Sequence, residues 1–141
     1  MHIDRLKLKP LAGASLPGDF PVGTWTNELG STLQVTSVLD GVFSGVYSST
    51  VSGGGPSVQG SVSGTFSGEA IAFTANWGPS QSVTAWTGVA LASGESGYFI
   101  YALWHLASSP TQDADWWESI LAGADLFYMP GPNSGAKRRR P

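Results

Sequence analysis

Gly23-Thr24-Trp25-Thr26-Asn27-Glu28-Leu29-Gly30-Ser31 is the stretch on which the reading of this 141-residue chain turns. A strand places every second side chain on the same face, so Trp25 and Asn27 stand side by side, an indole next to an amide, with a Gly-Ser turn behind them. The stretch reads as the first wall of a small ligand pocket. The later segments make most sense as further walls built around it.

Outward from this stretch, strand-like runs recur at close spacing, each bounded by Gly, Ser, Asn or Asp: 23–28, 31–38, 42–48, 57–65, 69–77, 82–91, 98–107 and 120–129. Asp40-Gly41 is a strong hairpin signal, and Ser93-Gly94-Glu95-Ser96-Gly97 a longer turn. No segment keeps a 3.6-residue period over a helix length, and 108–118 is expected to hold one helical turn at most. Eight strands in a meander is therefore the economical count. An even-numbered meander can close on itself and abolish its edges, which favours an all-β, eight-stranded antiparallel up-and-down β-barrel over a sandwich. The expected organisation is a flexible leader over 1–22, the barrel over 23–129 and a flexible basic tail over 130–141.

Composition agrees with this class and excludes others. Charged residues make up 12% of the chain, and glycine occurs 19 times, as suits a compact β protein with many turns. All seven Lys and Arg residues lie near the termini, and none falls between residues 10 and 136. The stretch 23–129 holds eight carboxylates with no opposing cation, so its field repels nucleic acid. There is no cysteine and there are two histidines, His2 and His105, which argues against a disulfide framework and against a metal centre. No run of 18 apolar residues crosses a membrane as a helix, and no secretory signal is visible in residues 1–22.

Alternation then identifies what points inward. In 98–107 one face carries Tyr98, Ile100, Ala102, Trp104 and Leu106; the other, also largely apolar, carries Phe99, Tyr101, Leu103 and His105. That second face is expected to meet another subunit. Ser82, Thr84 and Trp86 share a face, as do Ile71, Phe73, Ala75 and Trp77. An eight-stranded barrel is just wide enough to be filled by its own side chains or to hold one small ligand. Aliphatic residues would suffice to fill it, and each unsatisfied inward polar group would cost about 1–3 kcal/mol. Polar groups converging in an aromatic box point to a ligand.

The opening stretch resembles the avidin/streptavidin family, whose pattern there is G-x-W-x-N-x-x-G-S. The likeness continues through Gly45-Val46-Tyr47-Ser48-Ser49-Thr50-Val51, Ala75-Asn76-Trp77, Ser82-Val83-Thr84-Ala85-Trp86-Thr87-Gly88, Leu103-Trp104-His105-Leu106 and Ala122-Gly123-Ala124-Asp125-Leu126-Phe127. Streptavidin is itself the standard example of a closed eight-stranded barrel around one small ligand. The resemblance implies a biotin site. Asn27, Ser31 and Tyr47 would donate to the ureido oxygen, while Ser49 and Asp125 would accept from its N–H groups. Thr84 would lie under the ring sulfur, and Trp77, Trp86, Trp104 and Leu106 would box the rings and chain. Ser82, with Val51 and the backbone near Gly53 in the glycine-rich 51–56 loop, would hold the carboxylate end. Trp25 is implied to be core.

Quaternary structure is implied as well. Trp117, eight residues before Asp125, holds the spacing at which the family reaches into a neighbouring subunit's site, with Trp116 an extra aromatic beside it. Small residues at Ala122 and Ala124 weaken one family contact, so a homodimer or a homotetramer is expected. The resemblance further implies a secreted protein that binds biotin without catalysis and needs no cofactor, metal, nucleic acid or membrane. The competing expectation is a barrel for another small hydrophobic ligand or peptide, in the manner of a lipocalin.

Overall fold

The computed structural model describes residues 20–50, 58–93, 97–110 and 120–131. Eight strands follow in order: β1 Gly23–Asn27, β2 Thr32–Leu39, β3 Val42–Ser49, β4 Val58–Ser67, β5 Ala70–Asn76, β6 Ser82–Ser93, β7 Gly97–Ser108 and β8 Ile120–Pro130. Each pairs antiparallel with its neighbour, and β1 returns to β8 to close the barrel. The strand boundaries match the sequence reading to within about two residues. Turn residues set those boundaries, as at Asp40-Gly41, where positive φ at both positions (52° and 78°) lets a two-residue turn join β2 to β3.

One boundary differs in kind. Trp77 leaves β5 and begins a single 3-10 turn over Gly78–Ser80, which ends in left-handed Gln81. Pro79 cannot donate to a β-ladder and stands in the first part of this turn. Trp77 thereby stands just beyond β5, buried, with its side chain in the lining of the barrel's pocket. The loop 51–57, the turn 94–96, the segment 111–119 that contains Trp116 and Trp117, the leader to residue 19 and the tail from 132 lie outside the described residues.

Strand alternation sorts the interior into two zones. Along β1, Trp25 and then Asn27 are buried, so the barrel changes from apolar to polar within one step of the strand period. The apolar zone holds Trp25, Phe43, Val35, Ile71, Ile100 and Met129. Phe20, ahead of the first strand, is 2% exposed and stacks on Trp25 at 5.4 Å and Phe43 at 4.8 Å. Such ring pairs contribute roughly 0.5–1.5 kcal/mol each beyond their buried area. The core thus begins three residues before the first strand.

The closing seam is short: Thr26 lies opposite Tyr128 and Asn27 opposite Phe127. Beyond the last pair, the Glu28 side chain continues the seam, its Oε2 accepting the Leu126 N–H at 3.0 Å. A strand of five residues is in this way tied to one of eleven.

Candidate ligand-binding site

A cavity of about 330 Å³ opens in the polar zone. That lies within the roughly 300–1,000 Å³ usual for small-molecule sites. Asn27, Ser31, Tyr47, Ser49 and Asp125 line it, together with Ser82 and Thr84 and with Trp77, Trp86, Trp104 and Leu106. Val51, Gly53 and Trp117 lie outside the described residues. Three lining residues were not singled out from sequence: Leu29, Val58 and Ser80. Leu29 lies in the turn beyond β1, two residues past Asn27, where strand alternation no longer decides which way a side chain points.

The polar end is built from local turn chemistry. Asn27 Oδ1 accepts the backbone N–H groups of Leu29 at 3.0 Å and Ser31 at 2.9 Å. Two donors on that oxygen fix the amide's orientation and leave Nδ2 facing Tyr47, where it donates to the phenol oxygen at 3.2 Å. Asn27 therefore shapes the turn and faces the pocket at once. The Tyr47 oxygen is the acceptor here, so its own proton points away from the Asn27 amide.

Ser31 is held from the side. Its Oγ accepts the Thr50 N–H at 3.1 Å and lies 3.3 Å from Thr50 Oγ1, which in turn donates to the Leu29 carbonyl at 3.2 Å. With that proton committed to Leu29, Thr50 Oγ1 is the acceptor in its contact with Ser31. Thr50 is a residue that sequence reasoning passed over, since its hold on Ser31 depends on the end of β3 meeting the turn after β1.

The aromatic wall is hydrogen-bonded as well as packed. Trp77 Nε1 donates to Thr84 Oγ1 at 2.9 Å, so the Thr84 proton points elsewhere. Trp86 is sandwiched between Phe73 at 4.7 Å and Tyr47 at 4.8 Å, and Tyr47 meets Trp77 edge-on at 5.6 Å. Trp86 Nε1 donates to Asp125 Oδ2 at 2.9 Å. Register pairs Trp86 with Trp104 and Trp104 with Gly123. A Cβ at Gly123 would collide with the Trp104 indole, so only glycine lets that ring lie flat against β8. At Gly60 a Cβ would stand 2.9 Å from the Trp77 ring, and the same argument holds.

Electrostatics follow from burial without cations. Burial, reinforced by the nearby Asp125 carboxylate, raises Tyr47 well above the ordinary phenol range, so it stays a protonated donor. Asp125 is raised above the usual carboxylate value, first by burial and then by Glu28; the Trp86 hydrogen bond works in the opposite direction. The arrangement offers fixed donors beside one acceptor carboxylate, backed by indole faces.

Fold and cavity together define a closed antiparallel meander barrel with an internal pocket polar at one side and aromatic around the rest. The chain belongs to the avidin family, whose family model matches residues 19–129. It is 29% identical to avidin of Gallus gallus, over 74% of this chain and 74% of avidin. Among solved structures it is similar to xenavidin, at 30% identity and a TM-score of 0.66, covering 76% of this chain and 94% of that one. A shwanavidin variant crystallised as its biotin complex matches at 27% identity and a TM-score of 0.63, over 79% and 98% of the two chains.

Proposed function

We propose that the pocket binds biotin non-covalently and without turnover. The observation that carries this reading is the cluster of Asn27, Ser31 and Tyr47 that lines one cavity together with the Asp125 carboxylate. A ureido group presents one oxygen that accepts several hydrogen bonds and two N–H groups that donate. Asn27 and Tyr47 supply donors, joined by Ser31 once its hydroxyl turns from Thr50 Oγ1 to the ligand, and Ser49 and Asp125 supply the acceptors. Donors fixed before the ligand arrives lose little freedom on binding, which raises affinity.

Trp77, Trp86, Trp104 and Leu106 form the box around the rings and chain, Thr84 meets the ring sulfur, and Ser82 meets the carboxylate end. Val51, Gly53 and, from a neighbouring subunit, Trp117 complete this assignment. The barrel's one histidine, His105, is exposed on the outer face of β7, away from the pocket, which supports binding rather than catalysis. Self-association and an extracellular place of action accompany the reading as family-level expectations.

Calorimetry with biotin, desthiobiotin and a synthetic copy of residues 130–141 tests it. Saturable heat with biotin and desthiobiotin, and none with the peptide, is expected. A ligand present at about 100 times its dissociation constant adds about 2.7 kcal/mol of stability by mass action. No heat and no thermal stabilisation with saturating biotin would defeat the reading.

A further inference from the structure

Ser31 is held at every polar atom, and one freedom remains to it. Its N–H donates to Asn27 Oδ1 at 2.9 Å and its carbonyl accepts the Asn27 N–H at 2.9 Å, so both sides of its backbone are tied to one neighbour. Its Oγ accepts the Thr50 N–H at 3.1 Å. The residue is 5% exposed and lines the cavity. Rotation of the O–H about the Cβ–Oγ bond then decides whether its proton is offered to the cavity.

Thr50 sets that rotation. It stands one residue beyond β3, exposed and outside the cavity lining. Its own proton goes to the Leu29 carbonyl at 3.2 Å, which leaves Oγ1 to accept from Ser31 Oγ at 3.3 Å. The relay from Ser31 through Thr50 to Leu29 runs in one direction, because a carbonyl only accepts. Its first link is longer than the roughly 2.5–3.0 Å usual between hydroxyls, so a better acceptor displaces it readily.

We propose that Thr50 is a positioning residue of the ligand site: its N–H fixes the Ser31 oxygen, while its Oγ1 competes with the ligand for the Ser31 proton. The step rests on the reading that Ser31 donates to the ligand's ureido oxygen. Binding exchanges the Ser31–Thr50 bond for a Ser31–ligand bond, so the Thr50 hydroxyl lowers affinity and the Thr50 amide supports it. Thr50→Val separates the two. Valine keeps the N–H and the methyl group next to Gly30, where an added Cβ would come 3.9 Å from Thr50 Cγ2, and it removes the hydroxyl.

The test is a double-mutant cycle on the biotin dissociation constant. Thr50→Val is expected to bind about two- to tenfold more tightly than wild type, the worth of one hydrogen bond. Thr50→Ser restores the hydroxyl and is expected to return to within about twofold of wild type. In a Ser31→Ala background the gain from Thr50→Val disappears, since no proton is left to release. Unchanged or weaker binding in Thr50→Val overturns the proposal, as does an equal gain without the Ser31 hydroxyl, which would place the effect in the turn at Leu29. A second arm follows hydrogen exchange of the residue-50 amide in the ligand-free protein. It is expected to stay slow in Thr50→Val and to quicken in Ser31→Ala; fast exchange in Thr50→Val, or exchange that ignores Ser31→Ala, also overturns the proposal. If wild type fails to bind biotin, the ligand assignment is what falls, and the exchange arm still decides whether the Thr50 amide holds Ser31.

Discussion

Asp125 shows how a carboxylate that lines a pocket can work against the fold that carries it. Its affinity for protons is higher in the folded chain than in the unfolded one, chiefly because burial penalises the charge. A raised folded value means that its contribution is fully present below the unfolded value and is lost as pH rises through the folded one. At neutral pH the ionised group therefore subtracts stability from the ligand-free barrel. Asp125→Asn keeps an oxygen for Trp86 Nε1 and removes the charge. Differential scanning calorimetry at pH 7 is expected to give a melting temperature a few degrees higher than wild type without ligand, together with weaker biotin binding. A lower melting temperature would show that the carboxylate is structural.

The pocket residues were legible in the sequence to the extent that strand alternation determines them. Asn27, Tyr47, Thr84, Trp86 and Trp104 each follow a two-residue period into the cavity, and the roles proposed for them are those that the family resemblance implies. Glu28 and Thr50 were not legible. Each is exposed and stands one residue beyond the end of its strand, and each gains its contact from a partner far off in sequence: Leu126 for Glu28, Ser31 for Thr50. No local pattern encodes such a meeting.

Among elements, the strands could be read because Gly, Ser and Asp mark their ends; Asp40-Gly41 is the clearest case, with both residues at positive φ. The departure of Trp77 from β5 was less legible, since its alternation with Ile71, Phe73 and Ala75 continues unbroken up to the turn. Where β7 and β8 run together, the flatness of the wall depends on Gly123. An added methyl there meets the Trp104 indole, and overpacking of this kind costs roughly 1–3 kcal/mol. Gly123→Ala is expected to leave the barrel folded, displace Trp104 and weaken biotin binding about tenfold or more, since 1.4 kcal/mol corresponds to a factor of ten. Intrinsic fluorescence and calorimetry check the two halves; unchanged binding would remove Trp104 from the box.

At the scale of the whole molecule, closure was inferred from an even strand count and is realised by a short seam between β1 and β8. The outer surface is less polar than a lone barrel calls for. Val83 is 46% exposed, Val89 44%, Leu103 36% and Ile120 58%, all on the outward face of β6, β7 and β8. Apolar side chains on these three neighbouring strands are of the kind that a subunit interface would cover. Size-exclusion chromatography with and without biotin is expected to give a dimer or a larger assembly; a monomer in both conditions would refute self-association.

The central claim is that Asn27 and Ser31 form, with Tyr47, the donor cluster that holds the ligand. Asn27→Ala combined with Ser31→Ala removes two donors while Trp25 and the apolar zone remain to keep the barrel closed. Each hydrogen bond lost from such a site costs about 1–3 kcal/mol. Titration calorimetry with biotin, on wild type and on the double variant shown to be folded by circular dichroism, is the direct measurement. The account predicts saturable binding to the wild type and a loss of about 100-fold or more in the variant. Equal affinity in the two folded proteins would contradict it.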